Sequence, residues 1–356
     1  MGRTYIKNYG IYSQYAKNSV GLHELVRDKV PASTTAPKKY TCGAIDVIRR
    51  DMIKREDRAV MNNISKMAVN ALADLLNKMD ISSLSQVMLY SACDSEEHSF
   101  DTFREIVQND PDNFWRNISD FNKLSNPLDM LRLLPTNTLY HISKILQNHH
   151  EGVPLRTASL SGMSALKMAI RDVACGRNAA GALVFSSANM LSFDSLTVFG
   201  KFNEVRHDAQ SHSGILPAWG SVCLHIDDLS DLALAELVVA TIHYRPKIRF
   251  DKEDWLFLLA EQKNHHGTPD VIVSYDNGIA EQAIAEHDAL HEIFPEVKTV
   301  NYKSLNGYTG KSNNLLDILC CLEDTEIKPG SRVLINGTGI NYGLGCILLI
   351  KQDVKA

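Results

Sequence analysis

The stretch Arg156–Arg177, RTASLSGMSALKMAIRDVACGR, constrains the fold more than any other part of the chain. It opens on small residues, enters a helical pattern and stops at a glycine. Met163, Leu166, Ala169, Ile170, Val173 and Ala174 recur at steps of three and four, which gives one apolar helix face. Gly176 falls where a left-handed C-terminal cap is wanted. The run AAGALVFSSA (179–188) follows directly and predicts a buried strand. A side chain at the mouth of such a helix lies among backbone N–H groups without intrahelical partners, and Ser159 takes that place. Two readings of Ser159 stand side by side: an ordinary helix N-cap, or a reactive position held in the field of those N–H groups.

With 356 residues, 44% of them hydrophobic, the chain can bury a large core, in one big or two ordinary domains. A net charge of −5 gives no electrostatic case for nucleic acid or an anionic membrane. No run of 18 apolar residues exists to span a bilayer, and the start MGRTYIKNYG lacks the apolar core of a signal peptide. The seven cysteines are odd in number, show no CxxC spacing and lie in part within apolar runs. These features predict a cytoplasmic protein with reduced thiols, no structural disulfide and no zinc site.

Along the chain, 4–14 predicts a strand and 16–40 an irregular segment marked by Pro31 and Pro37. Val60, Ile64, Met67, Ala68, Ala71, Leu72, Leu75 and Leu76 predict a helix over 57–79, and SQVMLYSAC (85–93) a buried strand. Residues 96–125 are expected to be helix and loop, and 131–146 a helix separated from its lead-in by Pro135. Residues 149–159 are a loop and short strand that deliver Ser159, and 190–215 is polar and histidine-bearing. Strands over 219–228 and 235–245 are expected to pair antiparallel across their turn. The rest alternates: helix 253–263, strand 270–275, helix 280–292, strand 297–302, helix 311–323, strands 332–339 and 342–351. Two α/β halves result, near 1–230 and 231–356, each ending in a β-pair, a duplication of architecture without a sequence repeat.

Thr157-Ala158-Ser159-Leu160-Ser161-Gly162 resembles the nucleophile elbow of the β-ketoacyl synthases, where the sequence runs Thr-Ala-Cys before a long helix and strand. Three further stretches carry the resemblance in the same order. DVIVSYDNGIAEQAIAEHDALHEIFP (270–295) is similar to the family's strand, His-Gly-Thr-Gly-Thr motif and Glu-x-x-Ala-Leu helix. Gly278, Glu286, Ala289, Leu290 and Phe294 fit, while the first catalytic histidine falls on Tyr275 and an aspartate position on Ala283. YKSLNGYTGKSNNLLDIL (302–319) keeps the lysine and glycine of Lys-x-x-x-Gly-His as Lys303 and Gly307, with Tyr308 in place of the second histidine. NGTGINYGLGCILLI (336–350) is similar to the family's glycine-rich loop through Asn336, Gly339, Gly343 and Gly345, and the gating phenylalanine falls on Ile340. The resemblance implies an α/β thiolase fold, two similar halves stacked as five αβαβα layers. His265-His266-Gly267-Thr268 copies part of the histidine motif but precedes its strand, so it reads as a turn. His287 and His291 read as surface residues of a helix, and no histidine pair has metal spacing with a third ligand.

A decarboxylating condensation needs a nucleophile for the acyl chain, donors for the enolate and an oxyanion hole. Serine needs an adjacent base that a cysteine at a helix N-terminus does not. Tyrosine, which titrates near 10, is a donor and not a base at neutral pH. The resemblance therefore implies a catalytically inactive ketosynthase-like subunit, a chain length factor, with Ser159, Tyr275 and Tyr308 as degenerate positions and Lys303 retained. Such subunits pair as heterodimers with an active ketosynthase, meet acyl carrier protein loaded with acyl or malonyl chains, and help form the chain tunnel. The composition, rich in Asn, Lys and Ile, is nearer to pairs that make aryl polyenes than to high-GC aromatic systems. Segment 128–146 is expected at the dimer interface and tunnel wall, against the plainer reading of core packing. The resemblance brings no cofactor and no metal. The alternative is a thiolase-fold acyltransferase using Ser159 as nucleophile, with His207 or His212 reaching over as base.

Overall fold

The structure is a computed structural model and describes residues 2–32, 42–95, 127–150, 152–202, 204–206 and 213–353. The expected helix and loop over 96–125, and both His207 and His212, lie outside the described residues.

The described residues form ten strands: β1 Tyr5–Ser13, β2 Met88–Cys93, β3 Gly152–Pro154, β4 Ala182–Asn189, β5 Trp219–Asp227, β6 Ala235–Tyr244, β7 Val271–Val273, β8 Lys298–Val300, β9 Arg332–Gly339 and β10 Gly343–Lys351. Their order is β3-β2-β4-β5-β1-β6-β10-β9-β7-β8. In the first five, β5 lies antiparallel between β1 and β4, and β2 runs parallel between β4 and β3. In the last five, β10 lies antiparallel between β6 and β9, and β7 runs parallel between β9 and β8. One topology is thus executed twice. The two half-sheets join where Tyr5 and Ile6 of β1 pair with Glu236 and Ala235 of β6.

That junction corrects one expectation. β5 and β6 do not pair with each other, because β1 sits between them. The inner edge of β5 is taken along its length by β1, from Tyr5↔Asp227 to Ser13↔Gly220. Residues 228–234 are therefore the link between half-sheets and not a hairpin turn.

The helices among the described residues are α1 Ser19–Asp28, α2 Arg55–Val60, α3 Asn63–Leu75, α4 Pro127–Leu133, α5 Asn137–Ile145, α6 Ser161–Ala174, α7 Phe193–Gly200, α8 Lys252–His266, α9 Ala280–Ile293, α10 Lys303–Asn306 and α11 Asn313–Glu323. α1 lies in a segment expected to be irregular. Asn18 caps it by accepting from the Gly21 N–H, and Leu22 and Val26 bury one stripe. The single helix expected over 57–79 is two, because Asn62 and Ser65 form a reciprocal capping box that starts α3 afresh.

These elements stack as five αβαβα layers. α3 and α5 cover the outer face of the first half-sheet, through Ile64, Leu72, Ile142, Leu183 and Phe185. α8 and α9 cover the outer face of the second, through Trp255, Leu258, Leu290, Ile272 and Leu348. α6 and α11, with α1 beside them, fill the space between the half-sheets through Met163, Leu166, Leu315, Leu319, Val184 and Ile335. All seven cysteines are free thiols and five are buried. No helix among the described residues is long and apolar enough to cross a membrane.

Two buried histidines set a pH dependence. Burial lowers both His141 and His225 to about 4, and His141 Nε2 and His225 Nδ1 have no hydrogen-bond partner among the described residues. An unfolded histidine titrates near 6.5, so between about 6.5 and 4 the unfolded chain binds more protons than the folded one. Stability is full above that window and falls as pH drops through it, by up to roughly 3 kcal/mol per histidine. Burial raises the carboxyls of Glu286 and Asp317, which act in the opposite sense. Urea midpoints measured from pH 7.5 to 4.5 are expected to decline, and the double variant His141→Gln/His225→Gln to show a flatter slope.

Candidate functional site

The elbow is built by a short backbone contortion. Ala158 takes a positive φ of 49°, unusual for a residue with a Cβ, inside a 3₁₀ turn over Ala158–Leu160 that feeds α6. Ser161 fixes this turn: its Oγ accepts from the Thr157 N–H at 2.8 Å and donates to the Ala158 carbonyl at 2.7 Å. Gly162 lets the turn approach the 310–312 segment, since a Cβ there would stand 2.7 Å from the Lys311 carbonyl oxygen. Ser159 is therefore not an N-cap. The cap position falls on Leu160, no side chain caps α6, and the Ser159 hydroxyl is left to point elsewhere.

It meets Tyr308. Ser159 Oγ and Tyr308 OH are 2.6 Å apart, and Tyr308 OH and Tyr275 OH 3.0 Å apart. Asn277 Nδ2 donates to Tyr275 OH at 3.3 Å. The four side chains make one continuous hydrogen-bonded chain. Tyr308 is the only hydrogen-bond partner of Ser159 among the described residues. The fold thus brings together positions 116 and 149 residues apart in sequence (159 to 275, and 159 to 308).

Each tyrosine is held by its backbone. Tyr308 follows Gly307, whose φ is 67°, and exchanges backbone bonds with Leu216 and Ala218 ahead of β5. Tyr275 leaves β7, and its N–H donates to Glu286 Oε1 at 2.7 Å while the Asp276 N–H donates to Oε2 at 2.9 Å. Asn336 Nδ2 of β9 donates to the same carboxylate at 2.7 Å. Glu286 of α9 thereby ties the loop carrying Tyr275 to both a helix and a strand. The tyrosine rings meet edge-on at 88°, and Phe199 packs edge-on against Tyr308.

Lys303 is buried at the start of α10. Its Nζ donates to Asp317 Oδ2 at 2.8 Å and to the Ser274 carbonyl at 2.9 Å, and stands 5.6 Å from the centre of the Tyr275 ring. Asn313 Nδ2 also donates to Asp317. A second ion pair, Lys311 Nζ to Asp94 Oδ1 at 2.7 Å, joins the end of β2 to the segment after Tyr308. Burial raises both phenols, Tyr275 well above its ordinary value, so both stay protonated at neutral pH. The chain of hydroxyls contains donors and acceptors but no group that takes a proton from Ser159.

A cavity of about 150 Å³ lies over the site, with Phe199, Phe202, Ile248 and Ile340 on its walls and Tyr275 and Thr338 on its lining. A second, of about 190 Å³, is lined by Arg206, Asp276, Asn301, Lys303 and Tyr308. His265 and His266 are the last residues of α8 before Gly267, not a turn, and are not part of the hydroxyl chain. His287 and His291 are exposed on α9. Sequence reasoning placed Ser159, Tyr275, Tyr308 and Lys303 but missed Asn277, Asp317 and the Lys311–Asp94 pair. A lone acid in the otherwise apolar LLDILCCL of α11 was the available signal for Asp317.

No protein-family model matches the chain, and no curated protein matches it. Solved structures do. The ishigamide ketosynthase/chain length factor superposes with a TM-score of 0.70 at 15% identity, covering 99% of this chain and 100% of that one. A β-ketoacyl synthase from Burkholderia phymatum STM815 gives 0.73 at 14% identity, covering 99% and 100%. A type II polyketide ketosynthase bound to a hexaketide and complexed with its acyl carrier protein (AntDE:AntF) gives 0.70 at 14% identity, covering 99% of both chains. Over its whole length this chain has the thiolase-type fold of the ketosynthases.

The two kinds of contact at the site differ in weight. Tyr308→Phe removes one hydroxyl contact and is expected to lower unfolding free energy by about 1 kcal/mol. Glu286→Ala strands the Tyr275 and Asp276 N–H groups and is expected to cost about 2–4 kcal/mol in urea unfolding.

Proposed function

We propose that this chain is a non-catalytic, chain length factor-type subunit that pairs with an active ketosynthase and shapes the tunnel for a growing polyketide or polyene chain. The observation that carries the reading is the hydroxyl chain Ser159–Tyr308–Tyr275, in which the nucleophile position bonds a buried neutral phenol. A condensing enzyme needs a thiolate or a base-activated hydroxyl there. Changing one member of a catalytic unit costs several powers of ten in rate, and relative to the ketosynthase motif three are changed. The retained scaffold points to a role in shape and pairing. Two halves, 1–230 and 231–356, carry the elbow position and the two former histidine positions.

The interface is proposed on segment 128–146. Leu128, Leu131, Leu134 and Tyr140 are exposed, 37% to 51%, along α4, its exit and α5. A row of large apolar side chains left in water favours a partner surface. β3, an edge strand in the half-sheet order, lies next to this segment, where Leu139 packs against Gly152. The ketosynthase/chain length factor and the ketosynthase–carrier protein complex among the structural relatives support a ketosynthase and an acyl carrier protein as partners. Aryl polyene-type chemistry in the cytoplasm is the setting proposed for the pair.

A second reading, acyl transfer through Ser159, is favoured by one observation: the hydroxyl is half-buried, not sealed, on a strained elbow. The two readings separate in one assay. The protein is incubated with acyl carrier protein carrying a labelled acyl chain. No mass is expected on Ser159, and no carbon dioxide is expected from a malonyl donor. An acyl adduct at Ser159, or carbon dioxide release by the lone protein, overturns the non-catalytic reading. Co-expression with an active ketosynthase is expected to yield a heterodimer on size-exclusion chromatography. Leu131→Asp/Leu134→Asp is expected to weaken that heterodimer at least tenfold, while leaving the monomer folded by circular dichroism.

A further inference from the structure

Helix α9 presents its two faces to different tasks. Its inner face carries Glu286, which holds the Tyr275 loop, and Gln282, which accepts from the Phe250 N–H. Its outer face carries His287 and His291, one helical turn apart and exposed to solvent. Their rings lie parallel, 4° between planes, with centroids 6.4 Å apart. Each is followed by an acid. Asp288 Oδ1 stands 3.7 Å from His287 Nδ1, and Glu292 reaches Lys252 at 2.7 Å.

Side chains at i and i+4 of a helix leave from the same face. The imidazole is the commonest metal-ligating side chain and is largely neutral at pH 7. An ion held at about 2.1 Å by two nitrogens needs them about 3–3.5 Å apart. Two exposed rings stacked a turn apart reach that spacing by side-chain rotation, without breaking a buried contact. The carboxylate of Asp288 adds negative potential beside His287, whereas that of Glu292 is paired with Lys252. No three metal-ligating side chains converge among the described residues, so the remaining coordination positions belong to water.

We propose that His287 and His291 form a bidentate surface site for a divalent late first-row transition ion. Nitrogen ligation without thiolate suits copper, nickel and zinc over magnesium, calcium and manganese. An ion seated there bridges one turn of α9 immediately after Glu286. It binds the helix and not the unfolded chain, and so stabilises the fold. The site stands independently of the proposed function.

Nickel is the probe, on the tag-free full chain at pH 7.5, followed by calorimetric titration and thermal unfolding. The variants are His287→Gln, His291→Gln and, as a control at an unrelated exposed position, His150→Gln. Wild type is expected to bind nickel and to melt at higher temperature with it. Each of the first two variants is expected to weaken the binding about tenfold or more and to lose the shift, while His150→Gln retains both. Metal-free melting temperatures of the variants close to wild type verify that they fold. Absence of nickel binding by wild type, or an unchanged titration in His287→Gln, overturns the proposal.

Discussion

The structure depends on the layer of helices buried between its two half-sheets. α11 is buried from Asn313 to Cys321, and α6 buries its apolar stripe while Lys167 and Arg171 reach solvent. Their apolar stripes, Met163, Leu166, Ala169 and Val173 on one and Leu315, Leu316, Ile318 and Leu319 on the other, fill the gap between β-layers. Burial of such side chains is worth about 1.5–3 kcal/mol each, and it fixes the helices against translation. The functional positions are consequences of that fixing. Ser159 stands at the entry to α6, and Tyr308 just ahead of α11, whose buried acid Asp317 holds Lys303. A shift of either helix would separate hydroxyls that lie 2.6 Å apart.

Polar groups at this depth are costly unless each finds a partner, and here most do. Glu286 accepts three hydrogen bonds, two of them from backbone. Lys303 and Asp317 pair with each other and draw in the Ser274 carbonyl and Asn313. Burial raises the carboxyls of both Glu286 and Asp317, so these bonds compensate desolvation and do not produce a large surplus. Their value lies in specificity: a network with fixed partners permits one arrangement of the β7 exit, α9 and α10.

Much of this was legible from residues alone, and the exceptions have physical causes. The 3.6-residue period after Ser159 and the small and β-branched run at 179–188 gave helix and strand close to where they occur, because a buried face imposes its period on the sequence. Positions 159, 275 and 308 were legible as a group because four short stretches follow the motif order, although only the fold brings them into contact. Pairing was not legible. β1 lies between β5 and β6, and nothing local in 219–244 encodes a strand arriving from the N-terminus. The N-cap reading of Ser159 failed because Ser161, two residues on, offers its hydroxyl to both Thr157 and Ala158 and takes over the task of shaping the turn. α1 was missed because its evidence was one cap, Asn18, and two apolar residues, Leu22 and Val26, inside a polar run.

Phenols stand at positions 275 and 308, where the ketosynthase motif carries imidazoles, and the two groups differ in what they can do with a proton. An imidazole near its ordinary value gains and loses a proton within physiological pH. A phenol pushed upward by burial does neither, whether the strain at Ala158 aims the serine well or poorly. Both groups are flat, both hydrogen-bond, and a hydroxyl can relay from Ser159 to Tyr308 to Tyr275 as a histidine pair relays to a thiol. Phenols at these two positions are packed and hydrogen-bonded, and burial keeps them uncharged at neutral pH. Tyr308 packs against Phe199, bonds Ser159 and Tyr275, and is itself almost wholly enclosed.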